Sequence, residues 1–116
     1  MIENLGIGID IVDVNRFRDT PFGEKTSFYN KIFNENEINY CLKFKDPYPH
    51  FAGKFAIKEA VIKSISKNES FMNIITNHIN KKPTVVISEK NEYKFWVSIS
   101  HEKNYAAGIV IAEKLN

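Results

Sequence analysis

At 116 residues the chain has room for one compact domain and none for separate cofactor and substrate domains. An apolar content of 43% lies far from the disordered range, and a net charge of +2 is too small to argue for nucleic acid. A single cysteine excludes an internal disulfide and any C-x-x-C metal spacing, and no apolar run approaches the ~20 residues of a membrane span. With no basic-then-apolar signal pattern at the start, the expectation is a soluble, cytoplasmic protein with neither nucleic acid nor membrane as partner.

The first element reads Leu5-Gly-Ile-Gly-Ile-Asp-Ile-Val12, with Leu5, Ile7, Ile9 and Ile11 alternating against Gly6, Gly8 and Asp10. That period of two predicts a half-buried strand whose apolar face carries the isoleucines. The glycines opposite leave space for a close neighbour, either backbone or ligand. Asp13 is placed to cap a short helix from about Val14 that carries Arg16, Phe17 and Arg18. Asn34 to Glu37 has the form of a capping box, and Ile38, Cys41 and Leu42 continue it with helical spacing. Cys41 in that face reads as a small core residue rather than a reactive thiol. Asp46-Pro47 opens a long helix expected to run to about Lys67. The polar stretch Asn73 to Lys82 is predicted to contain a loop. Strands follow at Thr84 to Ile87 and at Phe95 to Ile99. His101 to Asn104 turn the chain into Tyr105 to Ala112, apolar on both faces and so central in its sheet. The order of strand, helices, long helix and three strands predicts an α+β fold. No repeat, low-complexity tract or linker interrupts it.

The long helix carries the most informative side chains. At about 100° per residue, Glu59 falls about 40° and Lys63 about 80° round from Phe55, within an arc that also holds Ala52, Ala56 and Ala60. Two readings stand: an exposed Glu-to-Lys pair at i, i+4, or a carboxylate and an ammonium in a pocket of small residues. Six lysines between Lys43 and Lys67, against Asp46 and Glu59, are either a solvated face or a surface for a polyanion. Asp10 either ends its strand and caps the next helix or ligates a hard cation, for which two carboxylates plus substrate phosphates suffice. His101, after Ser98-Ile-Ser100, suits a turn or a phosphate or ribose contact better than a hydrolase triad. His50 and His78 have no supporting constellation and read as surface residues. Gly6-Ile-Gly8 lacks the third glycine of a dinucleotide fold.

Three stretches taken together resemble the holo-acyl-carrier-protein synthases, the small class of phosphopantetheinyl transferases. They are Gly6-Ile-Gly-Ile-Asp10-Ile-Val-Asp-Val-Asn-Arg16-Phe17, then Phe51-Ala-Gly-Lys54-Phe55-Ala-Ile-Lys58-Glu59-Ala-Val-Ile-Lys63, then Val97-Ser-Ile-Ser100-His101 through Tyr105-Ala-Ala. The resemblance spans nearly the whole chain and implies one transferase domain over residues 1–116. It implies that Asp10 and Glu59 bind magnesium with the pyrophosphate of coenzyme A, and that Asp10, Glu59 and Lys63 are the catalytic set. It also implies that Lys54, Lys58 and Lys63 meet the coenzyme, that Ser100 and His101 hold its nucleotide end, and that Arg16 contacts the acyl carrier protein. Members of this class resemble homotrimers with active sites between subunits, which suits so small a domain.

The chain departs from the pattern where relatives carry a glycine-rich segment after the long helix, having Ser64-Ile-Ser-Lys67-Asn-Glu-Ser70 instead. Asn80-Lys-Lys-Pro83 matches the Gly-basic-Pro turn only in part. Lys54 stands where arginine is common, keeping the charge without the bidentate fork. The implied reaction moves 4′-phosphopantetheine from coenzyme A to a carrier serine, in support of fatty acid biosynthesis. A magnesium-dependent phosphate-ester or pyrophosphate hydrolase is the alternative enzyme, and a coenzyme or carrier-binding module is the non-catalytic one.

Overall fold

The first strand, β1 (Leu5–Asp13), inverts the expected burial. Its isoleucines Ile7, Ile9 and Ile11 are 66%, 63% and 69% exposed, while Gly8 and Val12 on the other face are buried. The cause is the long helix α4 (Tyr48–Ile65), which lies directly on the glycine face. A Cβ on Gly6 would overlap the carbonyl of Ser64, and one on Gly8 the carbonyl of Ala60. Backbone meets backbone there, so the space between the glycines goes to the helix. The computed structural model describes residues 4–90 and 92–115.

Between these two elements come three short helices: α1 (Asn15–Arg18), α2 (Thr26–Asn30) and α3 (Glu35–Leu42). Asp13 takes the Asn15 N–H at 2.9 Å, but the cap position of α1 itself falls on Val14, which has no side-chain cap bond. The capping box of α3 is present in full: Asn34 Oδ1 accepts from Glu37 N, and Glu37 Oε1 accepts from Asn34 N, both at 2.8 Å. The start of α4 is slightly offset from the expected one. Pro47 itself flanks the helix, and the Asp46 carboxylate reaches the Tyr48 N–H at 3.3 Å. The helix stops two residues before the expected Lys67, where Ser66 turns left-handed at φ 55°.

After a single 3-10 turn at Phe71–Asn73 the chain forms a hairpin, β2 (Ile74–Ile79) with β3 (Lys82–Ile87). The stretch expected to contain a loop therefore holds a fourth C-terminal strand. Its polar residues concealed it: Thr76 is buried by hydrogen bonding, and His78 is stacked on a tyrosine. The two-residue turn uses Asn80 and Lys81, both at positive φ. Strands β4 (Tyr93–His101) and β5 (Tyr105–Lys114) complete an antiparallel sheet ordered β1-β5-β4, with β5 central as its two apolar faces predict.

The core has two parts, on either end of α4. One is aromatic, with Phe17, Tyr29, Phe33 and Phe51 fully buried and in ring contact; Cys41 lies in the same cluster. Burial pushes the Cys41 thiol up to about 12, so it remains an un-ionised core side chain. The other part is aliphatic, joining Ile57, Ala60 and Val61 to Ile74, Val85, Ile87 and Val110. Residues 51–58 of α4 are buried on every side, which explains why all but Lys54 and Lys58 are apolar.

Candidate active site

Asp10 sits opposite Gly108 in the β1–β5 register, under the flank of α4. Lys63 reaches down from the last turns of the helix and donates to Asp10 Oδ1 at 3.1 Å and to the Ile9 carbonyl at 3.0 Å. Its side chain is 51% exposed and that of Asp10 is 18% exposed, so water reaches this edge. Glu59 lies one helical turn before Lys63 and is partly buried. It forms no ion pair among the described residues. Lys63 thus pairs with the strand carboxylate rather than with its i−4 neighbour. Asp10 meets the ammonium at a water-accessible edge and Glu59 lies one helical turn away, carboxylates of the oxygen-donor type that suits a magnesium ion with waters and phosphate oxygens in its remaining positions.

On the far side of α4 is a cavity of 630 Å³ between α3, the start of α4, the β2–β3 hairpin and β4. Lys54, His50, His78, His101, Tyr40 and Phe44 contribute to its wall. His50 and His78, expected at the surface, are instead stacked on Phe44 at 3.6 Å and on Tyr40 at 4.4 Å. Burial pushes His50 down to about 4, with His101 adding to the effect; burial and Lys54 also push His78 down. Lys54 is 3% exposed, and its Nζ donates to Thr76 Oγ1 at 3.1 Å. Thr76 in turn donates to Glu37 Oε2 at 2.5 Å. Desolvation lowers the Lys54 pKa, and the buried Glu37 opposes that shift.

The family match rests on the whole chain. A sequence model of the 4′-phosphopantetheinyl transferase superfamily matches residues 6–110. The holo-[acyl-carrier-protein] synthase of Thermodesulfovibrio yellowstonii is 45% identical, covering 96% of this chain and 98% of its own. The chain belongs to this family. Among solved structures, the Bacillus anthracis synthase in complex with CoA (3′,5′-ADP) superposes with a TM-score of 0.82 at 32% identity, over 95% of this chain and 96% of that one. The Helicobacter pylori synthase in complex with coenzyme A gives 0.81 at 29%, over 92% and 99%.

Within this family framework, one expected coenzyme contact needs correction. Lys58 has no exposed surface, and its Nζ donates to the carbonyls of Ile32 and Phe71, each at 2.8 Å, and to Glu37 Oε1 at 2.9 Å. An ammonium has three hydrogens, and all are committed. Burial lowers its pKa while Glu37 opposes the shift. Lys58 is a buried tie between α4, the loop before α3 and the 3-10 turn, with no donor left for a phosphate. His101 borders both the cavity and a second hollow beside Ile11, whereas Ser100 borders only the second. Arg16 projects from α1 with its guanidinium 5.0 Å from the centre of the Phe55 ring. Arg18, by contrast, is held by Asp46 and by the Lys103 carbonyl, each at 2.6 Å. The residues missed by sequence reasoning are Glu37, Thr76, His50 and His78. Glu37 carried a signal in its capping box, but its pairing with Lys58 and Thr76 is visible only once the chain folds.

Proposed function

We propose that this chain transfers 4′-phosphopantetheine from coenzyme A to a serine of apo acyl carrier protein, releasing adenosine 3′,5′-bisphosphate. The observation that carries the reading is the meeting of Asp10 and Lys63 across β1 and α4, with Glu59 one turn away. Asp10 and Glu59 would hold magnesium. When bound, it supplies positive charge against the pyrophosphate and the leaving phosphate. Lys63 spends two of its three hydrogens on Asp10 and Ile9, which leaves the third for the departing phosphate oxygen. The carrier serine Oγ bonds to the β-phosphorus while the bond to the bridging pyrophosphate oxygen breaks, its electron pair leaving with the bisphosphate. Glu59, or a water held at this edge, would receive the serine proton. Lys54 and His101 face the nucleotide end of the coenzyme, and Arg16 faces the acidic carrier protein.

The site is completed between copies of the chain. Nine residues separate Lys54 from Lys63, which at about 100° per residue puts them about 180° apart on α4. The cavity and the carboxylate edge of one chain therefore face opposite ways, and one coenzyme spans both only if two chains adjoin. The outer sheet face supports this. Register aligns Ile7, Ile111 and Trp96 in one row and Ile9 with Ile109 in the next, all exposed. Such a contiguous apolar face marks an interface. Three copies, as the family resemblance implies, would cover it. No described helix is long and apolar enough to cross a membrane. We place the enzyme in the cytoplasm, acting as one domain in fatty acid biosynthesis.

The deciding experiment incubates the protein with coenzyme A, magnesium and apo acyl carrier protein. Mass spectrometry should find one phosphopantetheine added to one carrier serine. Consumption of coenzyme A with an unmodified carrier would instead establish a hydrolase and refute the proposal.

A further inference from the structure

The cavity beside Lys54 gathers all three histidines of the chain, although they are distant in sequence. His50 comes from the first turn of α4, His78 from β2 and His101 from the end of β4. His50 meets His101 edge-on with ring centroids 4.7 Å apart, stacks on the Phe44 ring and lies edge-on to Tyr40. The Nδ1 of His78 is buried with no hydrogen-bond partner among the described residues. Native structures rarely leave a buried polar atom so, unless a ligand or water meets it.

The remaining groups around the cavity are cationic or neutral: Lys54 from α4, Lys81 from the hairpin turn and the Tyr40 phenol from α3. The carboxylate that acts on His50, Asp46, is itself bound by Arg18, and Glu37 lies behind Lys54 beyond Thr76. Charged imidazoles at His50 and His78 beside two ammonium groups would repel one another. Neutral rings avoid this and stack on their aromatic partners, in keeping with the depressed pKa values of His50 and His78. A polyanion in the cavity reverses that balance, because it favours the imidazolium form and offers each ring an acceptor.

We propose that His50 and His78 recognise the phosphorylated nucleotide end of the coenzyme by taking up protons from solvent as it binds. The two residues are specificity determinants that add positive charge only when an anion fills the site. They favour a phosphomonoester dianion over a dephosphorylated nucleotide, and more strongly as pH falls. The inference rests on reading this cavity as the nucleotide site.

Calorimetric titration of the whole protein with adenosine 3′,5′-bisphosphate, in buffers of differing ionisation enthalpy, reads the protons taken up. Wild type should show net uptake and tighter binding as pH falls from about 8 to about 6.5, by up to about tenfold per pH unit for each proton. The His50→Phe/His78→Phe variant retains stacked rings but cannot titrate, and should lose the uptake and the added pH slope. Protonation of the ligand phosphate is common to both proteins and cancels in the comparison. His78→Asn, with thermal unfolding to verify its fold, should lose part of the uptake even if the double variant does not fold. Equal uptake and equal slopes in wild type and variants would overturn the proposal while coenzyme binding stands. If wild type fails to bind the bisphosphate, the nucleotide reading of the cavity falls as well.

Discussion

Replacing Glu37 by Gln tests the buried charge network with a change of two atoms' chemistry and almost none of shape. The carboxylate accepts from Asn34 N at 2.8 Å, Lys58 Nζ at 2.9 Å, Thr76 N at 2.8 Å and Thr76 Oγ1 at 2.5 Å. An amide has one accepting oxygen and a donating NH2, so one side of the site must face donor to donor. If the NH2 turns to Thr76, the hydroxyl can rotate and accept, but the Thr76 N–H is orphaned at about 1–3 kcal/mol. The Lys58 ammonium, with no exposed surface, also loses its counter-charge. Breaking a buried pair from one side costs about 3–5 kcal/mol. For a domain near this size 1 kcal/mol moves Tm by about 4–8 °C, so a loss of about 3 kcal/mol lowers it by about 12–24 °C. Thermal unfolding at fixed protein concentration reads this directly, and the Glu37→Leu/Lys58→Met double variant should recover much of the loss. A Glu37→Gln protein within about 0.5 kcal/mol of wild type would refute the claim that the network is charged and closed.

Thr76→Val should raise KM for coenzyme A about 5- to 30-fold with little change in kcat, since Lys54 loses a partner worth about 1–2 kcal/mol; Thr76→Ser should restore it. Asp10→Ala and Glu59→Ala should each lower transfer about 100-fold or more with the fold intact, and full turnover in magnesium would sink the site assignment. Ile9→Lys puts a charge in the outer apolar face and should yield monomers by light scattering, with activity lost in parallel. For Arg16→Glu, KM for the carrier should rise while coenzyme affinity holds, and equal losses in both would exclude Arg16 from the carrier surface.

Much of the frame was legible because it rests on local physics. The capping box at Asn34 and Glu37 and the doubly apolar β5 are written in local sequence and survive folding unchanged, and the Asp46-Pro47 start moves by one residue. The hairpin strand β2 was hidden because two of its three inward residues, Thr76 and His78, are polar, and polarity signals a loop until their partners are known. Lys58 was misread for a related reason. The family resemblance implies a coenzyme lysine there, and only the packed carbonyls of Ile32 and Phe71 show where its hydrogens go.

The sequence by itself determined that the first strand alternates isoleucine with glycine and aspartate, and that Glu59 and Lys63 share one helical arc. Which face of the strand is buried, and which carboxylate Lys63 meets, were tertiary decisions. They turn on how closely two backbones approach, and that distance depends on the absence of a Cβ at Gly6 and Gly8 together with the particular stretch of α4 laid against them. With α4 seated there, the isoleucines are turned outward to a surface that a second copy can cover, and Asp10 is brought beneath Lys63.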